Sequence, residues 1–372
     1  MNILSVIGTR PEAIKMAKLI ILLNNDKYFC HKICSTGQHK DMLQQVLEIF
    51  NIKIDYNLNI MNVNQSLSDL TANILININN VFDDFKPDIV LVHGDTTTAF
   101  TVALAAFYKN IKIGHIEAGL RTFDLSSPYP EEFNRTIISK LAQYHFAPTN
   151  INKTNLLNEK INSNKIIVTG NTVVDSLLYI ANNIVNLPHE IEFLKNILEN
   201  KFILVTGHRR ESFGDGFINI CDALLKLADA HKDINIIYPV HYNPNVRDVV
   251  FNKLSNVPNI FLTKPVRYDS FVYLMKKSYF ILTDSGGVQE EAPSLNKPVL
   301  VMREKTERQE AIDAGSVKLV GTSTEKIFKD SSELIANSDI YESMTNIKNP
   351  YGDGHACERI MQFLRTHANI IP

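Results

Sequence analysis

Twelve short apolar runs, almost free of charge, alternate with amphipathic stretches along the chain, and this rhythm constrains the fold more than any other feature. The first half offers residues 3–7, 31–35, 89–92, 112–116, 145–147 and 166–169; the second offers 202–206, 234–240, 260–262, 280–283, 299–302 and 317–319. Between them lie helical periods, the clearest in Phe217, Ile220, Cys221, Leu224, Leu225 and Ala228, spaced for one helix face. Continuous apolar strands separated by helices mean parallel sheets covered on both faces. At 372 residues the chain exceeds the size at which a single core stops growing. Two doubly wound α/β domains of similar size are expected. The rhythm breaks at "NNIVNLPHEIEFLKN", so residues 1–170 and 171–355 are taken as the two domains.

Ligands of open α/β sheets bind beyond the carboxyl ends of the strands. The residues just after the runs are Gly8-Thr9-Arg10, Gly37-Gln38-His39, His93-Gly94-Asp95 and Glu117 to Arg121 in the first half. The second half gives Gly170-Asn171, Gly207 to Arg210, Asp284 to Gly287, and Arg303. Arginines, histidines and carboxylates collect there, and a cleft between two domains, with acidic and basic groups facing each other, is the simplest reading.

"LTDSGGVQEEA" reads as strand, small-residue turn and helix start, an arrangement that points backbone N–H groups at an anion. Ser285, Gly286 and Gly287 permit close approach of a phosphate and φ > 0 in the turn; an ordinary turn is the alternative. Neither a Walker A loop nor a G-x-G-x-x-G fingerprint is present, which disfavours ATP and dinucleotides. Glu290-Glu291, one turn on, suit ribose hydroxyls better than phosphate oxygens, or simply complement the helix dipole. Arg10, Lys15 and Arg308 are candidates for the compensating positive charge. His208, Arg209 and Arg210 in "VTGHRRESFG" add a further basic loop.

Asp95, Glu117 and Glu131 form an acidic set in the half that also holds Arg10 and Lys15. Helix capping by Asp95 and dipole compensation by Glu131 and Glu132 are the structural alternatives. Carboxylates sharing a cleft shift one another's pKa values and divide acid and base roles. A metal-binding role is the lesser reading, because no His/Asp constellation with ligand spacing is evident.

The net charge of −2 argues against a nucleic-acid footprint. The first apolar run meets Arg10 and Glu12 at once, as a strand does and a signal peptide does not, and no apolar stretch is long enough to span a bilayer. No membrane contact and a cytoplasmic location are expected. Cys30, Cys34, Cys221 and Cys357 are too scattered for a disulfide framework and read as small buried apolar residues.

"GTRPEAIKMA", "TGQHKDML", "VHGDTTTA", "GHIEAGLRT", "SPYPEEFNR", "VTGNTVVD", "VTGHRRESFG", "YPVHYNP", "LTDSGGVQEEAPSLNKPVLVMR" and "NPYGDG" occur in that order. Together they closely resemble the bacterial non-hydrolysing UDP-N-acetylglucosamine 2-epimerases, from residue 1 to about 365. The resemblance implies a GT-B-type arrangement of two Rossmann-like domains, an active site in the cleft, and a last helix at 356–367 crossing back to the first domain. It implies interconversion of UDP-GlcNAc and UDP-ManNAc, with no cofactor and no metal, in a homodimer. Asp95, Glu117 and Glu131 would handle protons, and His208 would act on the leaving group. Arg10, Ser285, Gly286 and Gly287 would hold the diphosphate, Glu291 the ribose, and Phe271 would lie near the uracil; Lys15 and Arg308 match charged site positions.

Two departures stand out. The family often reads P-x-x-Y-L-P-F where this chain has "PVRYDSF", which bears on Val266 to Ser270. Some members bind a second UDP-GlcNAc as an activator; Gln38, Gln65, Arg209, Arg210 and His241 match that region, but Asn64 stands where some carry arginine. The competing readings are a hydrolysing relative releasing ManNAc and UDP, a GT-B glycosyltransferase, and a UDP-sugar sensor without turnover. The three acids together count against the sensor.

Overall fold

The computed structural model describes residues 1–37, 40–61 and 65–368. They form two compact units, Met1–Ser176 with the segment from Gly352 onward, and Leu177–Tyr351. Unit 1 contains β1 (Asn2–Ile7), β2 (Cys30–Ser35), β3 (Tyr56–Asn57), β4 (Ile89–His93), β5 (Lys112–Ile116), β6 (Tyr144–Ala147) and β7 (Ile166–Val168). Unit 2 contains β8 (Phe202–Thr206), β9 (Asn235–Pro239), β10 (Ile260–Thr263), β11 (Phe280–Thr283), β12 (Val299–Val301) and β13 (Val317–Leu319).

Both sheets are parallel, ordered β3-β2-β1-β4-β5-β6-β7 and β10-β9-β8-β11-β12-β13. Every run anticipated as a strand is one. β3, a two-residue edge strand beside β2, has no apolar run to announce it. The order reverses direction between β1 and β4 in unit 1 and between β8 and β11 in unit 2. Such reversals leave the loops beyond two adjacent strands parted, and open α/β sheets bind ligands there.

Each unit has its own core. β4 is buried along its whole length, and Val90 and Val92 pack with Ile74, Ile78, Val102 and Ala106 of the helices above it. In unit 2 the anticipated helix spans Asp215–Ala230; Phe217, Ile220, Cys221, Leu224 and Ala228 are buried on one face and Leu225 packs at its margin. Cys34, Cys221 and Cys357 are buried free thiols, whereas Cys30, expected with them, is exposed at the start of β2.

The last helix, Ala356–Ala368, belongs to unit 1. The Asp175 carboxylate accepts the N–H groups of Ala356 (3.2 Å) and Cys357 (2.8 Å) at its start, and Phe363 lies edge-on to Tyr144 and Phe146. Among the described residues no helix is long and apolar enough to cross a membrane.

Candidate active site

In unit 1 the polar side chains gather beyond β1, β4 and β5. β1 runs into Gly8-Thr9 and the helix Arg10–Asn24; β4 runs into Gly94-Asp95 and the helix Thr97–Tyr108. Buried Glu12 ties the two loops together. Its carboxylate accepts the N–H groups of Gly8 (2.9 Å) and Thr9 (2.7 Å) and the hydroxyls of Thr9 (2.9 Å) and Thr96 (2.5 Å). Burial nevertheless pushes its pKa up, against all four hydrogen bonds. The Thr96 hydroxyl also accepts the Ala99 N–H at 3.0 Å, so Thr96, and not Asp95, caps the helix after β4.

Asp95 pairs instead with the Arg135 guanidinium from the helix Glu131–Leu141, and its backbone carbonyl accepts the Asn134 amide at 2.8 Å. Glu132 steadies Arg135 at 3.2 Å while accepting the N–H groups of Thr122 (3.0 Å) and Phe123 (2.9 Å). Glu132 thus has a structural role other than the capping weighed for the pair: it holds the 122–123 loop and Arg135, while both acids stand in the first turn of the helix, where no side chain caps it. Its neighbour Glu131 has no hydrogen-bond partner among the described residues. Burial raises the Asp95 pKa; Arg135 pulls it back, and the charges of Glu117 and Glu131 add to the rise.

Glu117, directly after β5, sits at φ +65°, an uncommon conformation for a side-chain-bearing residue. Its carboxylate pairs with the Lys15 ammonium and accepts the Asn171 amide at 3.1 Å. His93 Nε2 lies 3.9 Å away, but burial pushes the His93 pKa down to about 4, so the ring is neutral at pH 7. The three acids therefore occupy three electrostatic settings: Asp95 against arginine, Glu117 against lysine and an amide, Glu131 against neither. Such non-equivalence separates proton donors from acceptors. Arg10 is the half-buried first residue of its helix.

In unit 2 the loops beyond β8 and β11 meet. Asp284, fully buried, accepts the backbone N–H groups of His208 (2.7 Å) and Arg209 (2.8 Å) with Oδ2, and its Oδ1 lies 3.3 Å from His208 Nδ1. Ser285 precedes the short helix Gly286–Glu291. Neither Gly286 nor Gly287 has positive φ, contrary to the expectation from sequence. Gly286 is needed for space, because a Cβ there would lie 2.9 Å from Arg308 Cζ. At Gly287 the nearest atoms to a Cβ would be 3.9 Å off, so the protein itself leaves room above it.

Arg308 pairs with Glu290 at 3.0 Å and with Glu307, so its charge is shared with acids of its own unit. Glu291 is buried and accepts the Tyr268 hydroxyl at 2.6 Å. Tyr268 opens the helix Tyr268–Lys277, on which Phe271 follows, half-buried. In the divergent "PVRYDSF" stretch, Tyr268 and Ser270 are thus buried and Asp269 caps the Ser270 N–H.

Of the residues matched to a second nucleotide-sugar site, Gln38 lies outside the described residues, as does Asn64. Gln65 belongs to unit 1; Arg209, Arg210 and His241 belong to unit 2. His241 stacks on His208 with ring centroids 5.6 Å apart, Arg209 Nη2 lies 4.0 Å from Glu307, and Arg210 is exposed. No group of three or more His, Cys, Asp or Glu side chains among the described residues is placed to hold a metal ion.

Reading along the sequence did not assign roles to Glu12, Arg135, Asn171, Tyr268 or Asp284. Asn171 and Asp284 carried the signal of standing just after an apolar run, and Arg135 that of standing four residues after Glu131 on one helix face; Glu12 and Tyr268 carried none.

Comparison with known proteins agrees with this architecture. The family model described as UDP-N-acetylglucosamine 2-epimerase matches residues 22–365. The UDP-N-acetylglucosamine 2-epimerase of Campylobacter jejuni is 55% identical over 371 residues, covering 98% of this chain and 97% of that protein. The enzyme of the same name from Escherichia coli K12 is 51% identical, covering 99% of both. The crystal structure of UDP-GlcNAc 2-epimerase from Neisseria meningitidis bound to UDP-GlcNAc superimposes with a TM-score of 0.88 at 51% identity, covering 98% of this chain and 100% of that one. With a family model spanning most of its length, and relatives more than half identical from end to end, this chain belongs to the UDP-N-acetylglucosamine 2-epimerase family.

Proposed function

We propose that this chain interconverts UDP-GlcNAc and UDP-ManNAc by the non-hydrolysing route. C2 of the sugar has no adjacent carbonyl, so its proton is not acidic in the ground state. Departure of UDP from C1 gives C1 oxocarbenium character and makes the C2–H acidic. A base then takes the proton, the C–H electrons become the C1=C2 bond of 2-acetamidoglucal, and the C1–O electrons leave on the diphosphate. Return of UDP to C1 with protonation of C2 from the other face completes the inversion. The route needs proton carriers of differing basicity and positive charge or N–H groups for the leaving diphosphate.

The observation that carries this reading is the set of three acids beyond the strands of unit 1, after β4, after β5 and at the start of the helix Glu131–Leu141, each in a different electrostatic setting. Asp95, Glu117 and Glu131 are the proton handlers in this reading, with Lys15 paired to Glu117 and Arg135 to Asp95. Unit 2 supplies most of the nucleotide side in this reading: Ser285, Gly286 and Gly287 for the diphosphate, His208 for the leaving oxygen, Glu291 for the ribose, Phe271 beside the uracil and Arg308 as a supporting cation, while Arg10 of unit 1 is the further candidate for the diphosphate. A nucleotide-sugar substrate puts the reaction in the cytoplasm and its product at the service of surface polysaccharide synthesis. A homodimer fits the exposed Ile76, Phe107 and Phe133 on three neighbouring helices of unit 1. Gln65, Arg209, Arg210 and His241, with Gln38, are the candidates for a second, activating UDP-GlcNAc, whose signature is sigmoidal substrate dependence.

Proton NMR of the purified protein with UDP-GlcNAc in D2O tests the chemistry. UDP-ManNAc should grow in, with deuterium entering at C2 of both sugars. Free ManNAc and UDP as the products would overturn the non-hydrolysing reading in favour of hydrolysis. An unchanged substrate would overturn epimerisation altogether.

A further inference from the structure

His208 is the histidine to which the proposed function gives a part in the chemistry, and its surroundings in unit 2 are unusually ordered for a ring that is more than a third exposed, at 38% of its side chain. β11 runs directly into Asp284, which has no exposed surface and stands beside the loop after β8, at the reversal of strand order. One carboxylate oxygen takes the N–H groups of His208 and Arg209, which fixes the backbone that carries the ring. The other faces His208 Nδ1 at 3.3 Å. On the ring's face, His241 stacks at 28° between planes, itself steadied by the Asn243 N–H donating to His241 Nδ1 at 3.1 Å. Backbone and ring face are each held by a separate contact, and the ring edge lies beside a buried carboxylate oxygen that has no hydrogen-bond partner among the described residues.

We propose that Asp284 is the positioning residue for His208: it keeps the imidazole proton on Nδ1 and presents Nε2 as the nitrogen that exchanges a proton with the leaving diphosphate oxygen. The inference rests on the reading that His208 acts on the leaving group. A carboxylate facing Nδ1 selects the Nδ1–H tautomer, orients the ring and stabilises the imidazolium when Nε2 is protonated. A buried acid that only held a loop would need one oxygen; the second, Oδ1, is buried without a hydrogen-bond partner among the described residues, and His208 Nδ1 at 3.3 Å is the group placed to take it. The other groups facing His208 are Arg209, His241 and Arg303, all of which disfavour its charged form, as does burial; Asp284 alone opposes them. Arg303 is itself bound to Glu211 at 2.5 Å and to Glu307 at 3.1 Å, which moderates its charge.

The first test reads the wild-type ring directly and uses a variant only for assignment. Nitrogen-15 NMR of the histidine rings in the wild-type protein, with His208 assigned by its absence in His208→Gln, should show Nδ1 protonated and Nε2 bare at pH 8. The opposite tautomer would overturn the proposal. The second test is kinetic. Asp284→Asn keeps an acceptor for the two backbone N–H groups but presents no charge to the ring, and should lower kcat by about 100-fold or more, as loss of an orienting carboxylate does in other histidine sites. KM for UDP-GlcNAc should move by less than about threefold, and the high-pH fall in rate should shift to lower pH, because the only group favouring the charged ring is gone. His208→Gln/Asp284→Asn should be no slower than His208→Gln alone, since a residue acting through His208 has nothing left to act on. Wild-type kcat in Asp284→Asn, or losses that multiply in the double variant, would sink the idea. If His208→Gln keeps wild-type kcat, the role given to His208 fails first, and a slow Asp284→Asn beside it would show Asp284 acting by another route.

Discussion

At the scale of single residues, the two adjacent glycines after Ser285 have different reasons to be glycine. Gly286 is filled from within: the Arg308 guanidinium lies where a Cβ would be, and Gly286→Ala must displace a side chain already paired with Glu290 and Glu307. Gly287 is open within the protein, its would-be Cβ no nearer than 3.9 Å to any protein atom. On helical propensity alone, Gly287→Ala gains up to about 1 kcal/mol. If the backbone here is where the diphosphate approaches, the added methyl occupies the ligand's place. The expected outcome is a melting temperature equal to or above wild type together with a loss of at least about tenfold in UDP affinity by calorimetry, about 1.4 kcal/mol. Unchanged affinity would remove Gly287 from the diphosphate site, and lost stability would mean that the turn is strained in a way its geometry does not show.

At the scale of elements, the strands and the loops beyond them were legible because local physics writes them: buried parallel strands must be apolar, so the first charged residue after each run marks its carboxyl end. Asp95, Glu117 and His208 were found in this way. What stayed illegible is held by partners far along the chain. Glu12 meets Thr96, Asp95 meets Arg135, Tyr268 meets Glu291 and Asp284 meets His208, and no spacing rule links such pairs. The glycine turn misled for a related reason, since crowding by Arg308 and a positive φ both call for glycine. The last helix is a similar case, its N-terminus capped by Asp175, about half the chain away. A carboxylate there satisfies two otherwise orphaned N–H groups and lies at the positive end of the helix dipole. Asp175→Ala should cost about 1–2 kcal/mol and speed amide exchange selectively within residues 356–368, whereas Asp175→Asn, which keeps an acceptor, should cost less. Equal exchange in all three proteins would show that the packing of Ile360, Phe363 and Leu364 holds the helix without its cap.

At the scale of the whole molecule, the buried histidines divide the two units. His93, His115 and His145 stand at or near the carboxyl ends and middles of three adjacent strands of unit 1, all at most 3% exposed. Burial pushes their pKa values down to about 4, 3 and 4. At neutral pH they are uncharged. His115 Nε2 is engaged with the Gly94 carbonyl at 2.7 Å and so braces the loop that carries Asp95. The same burial makes the fold sensitive to acid. Above pH 6.5 each ring is neutral in both folded and unfolded chains, and its contribution to stability is complete. As pH falls from 6.5 towards 4 the unfolded chain takes up protons that the folded chain refuses, and that contribution drains away. Glu12, Asp95 and Asp175 act in the opposite sense, since their raised pKa values let the folded chain protonate first on acidification. The histidine effect is therefore best read as a difference against a variant that lacks one ring. His145→Leu replaces a buried imidazole with an apolar side chain of similar size, and below pH 6.5 wild type should lose stability relative to it by about 1.4 kcal/mol per pH unit. Urea unfolding of both proteins at pH 7.5, 6 and 5 measures this directly. A constant gap across that range would mean that the His145 ring takes up its proton inside the folded sheet, and that the interior of unit 1 solvates charge far better than its burial implies.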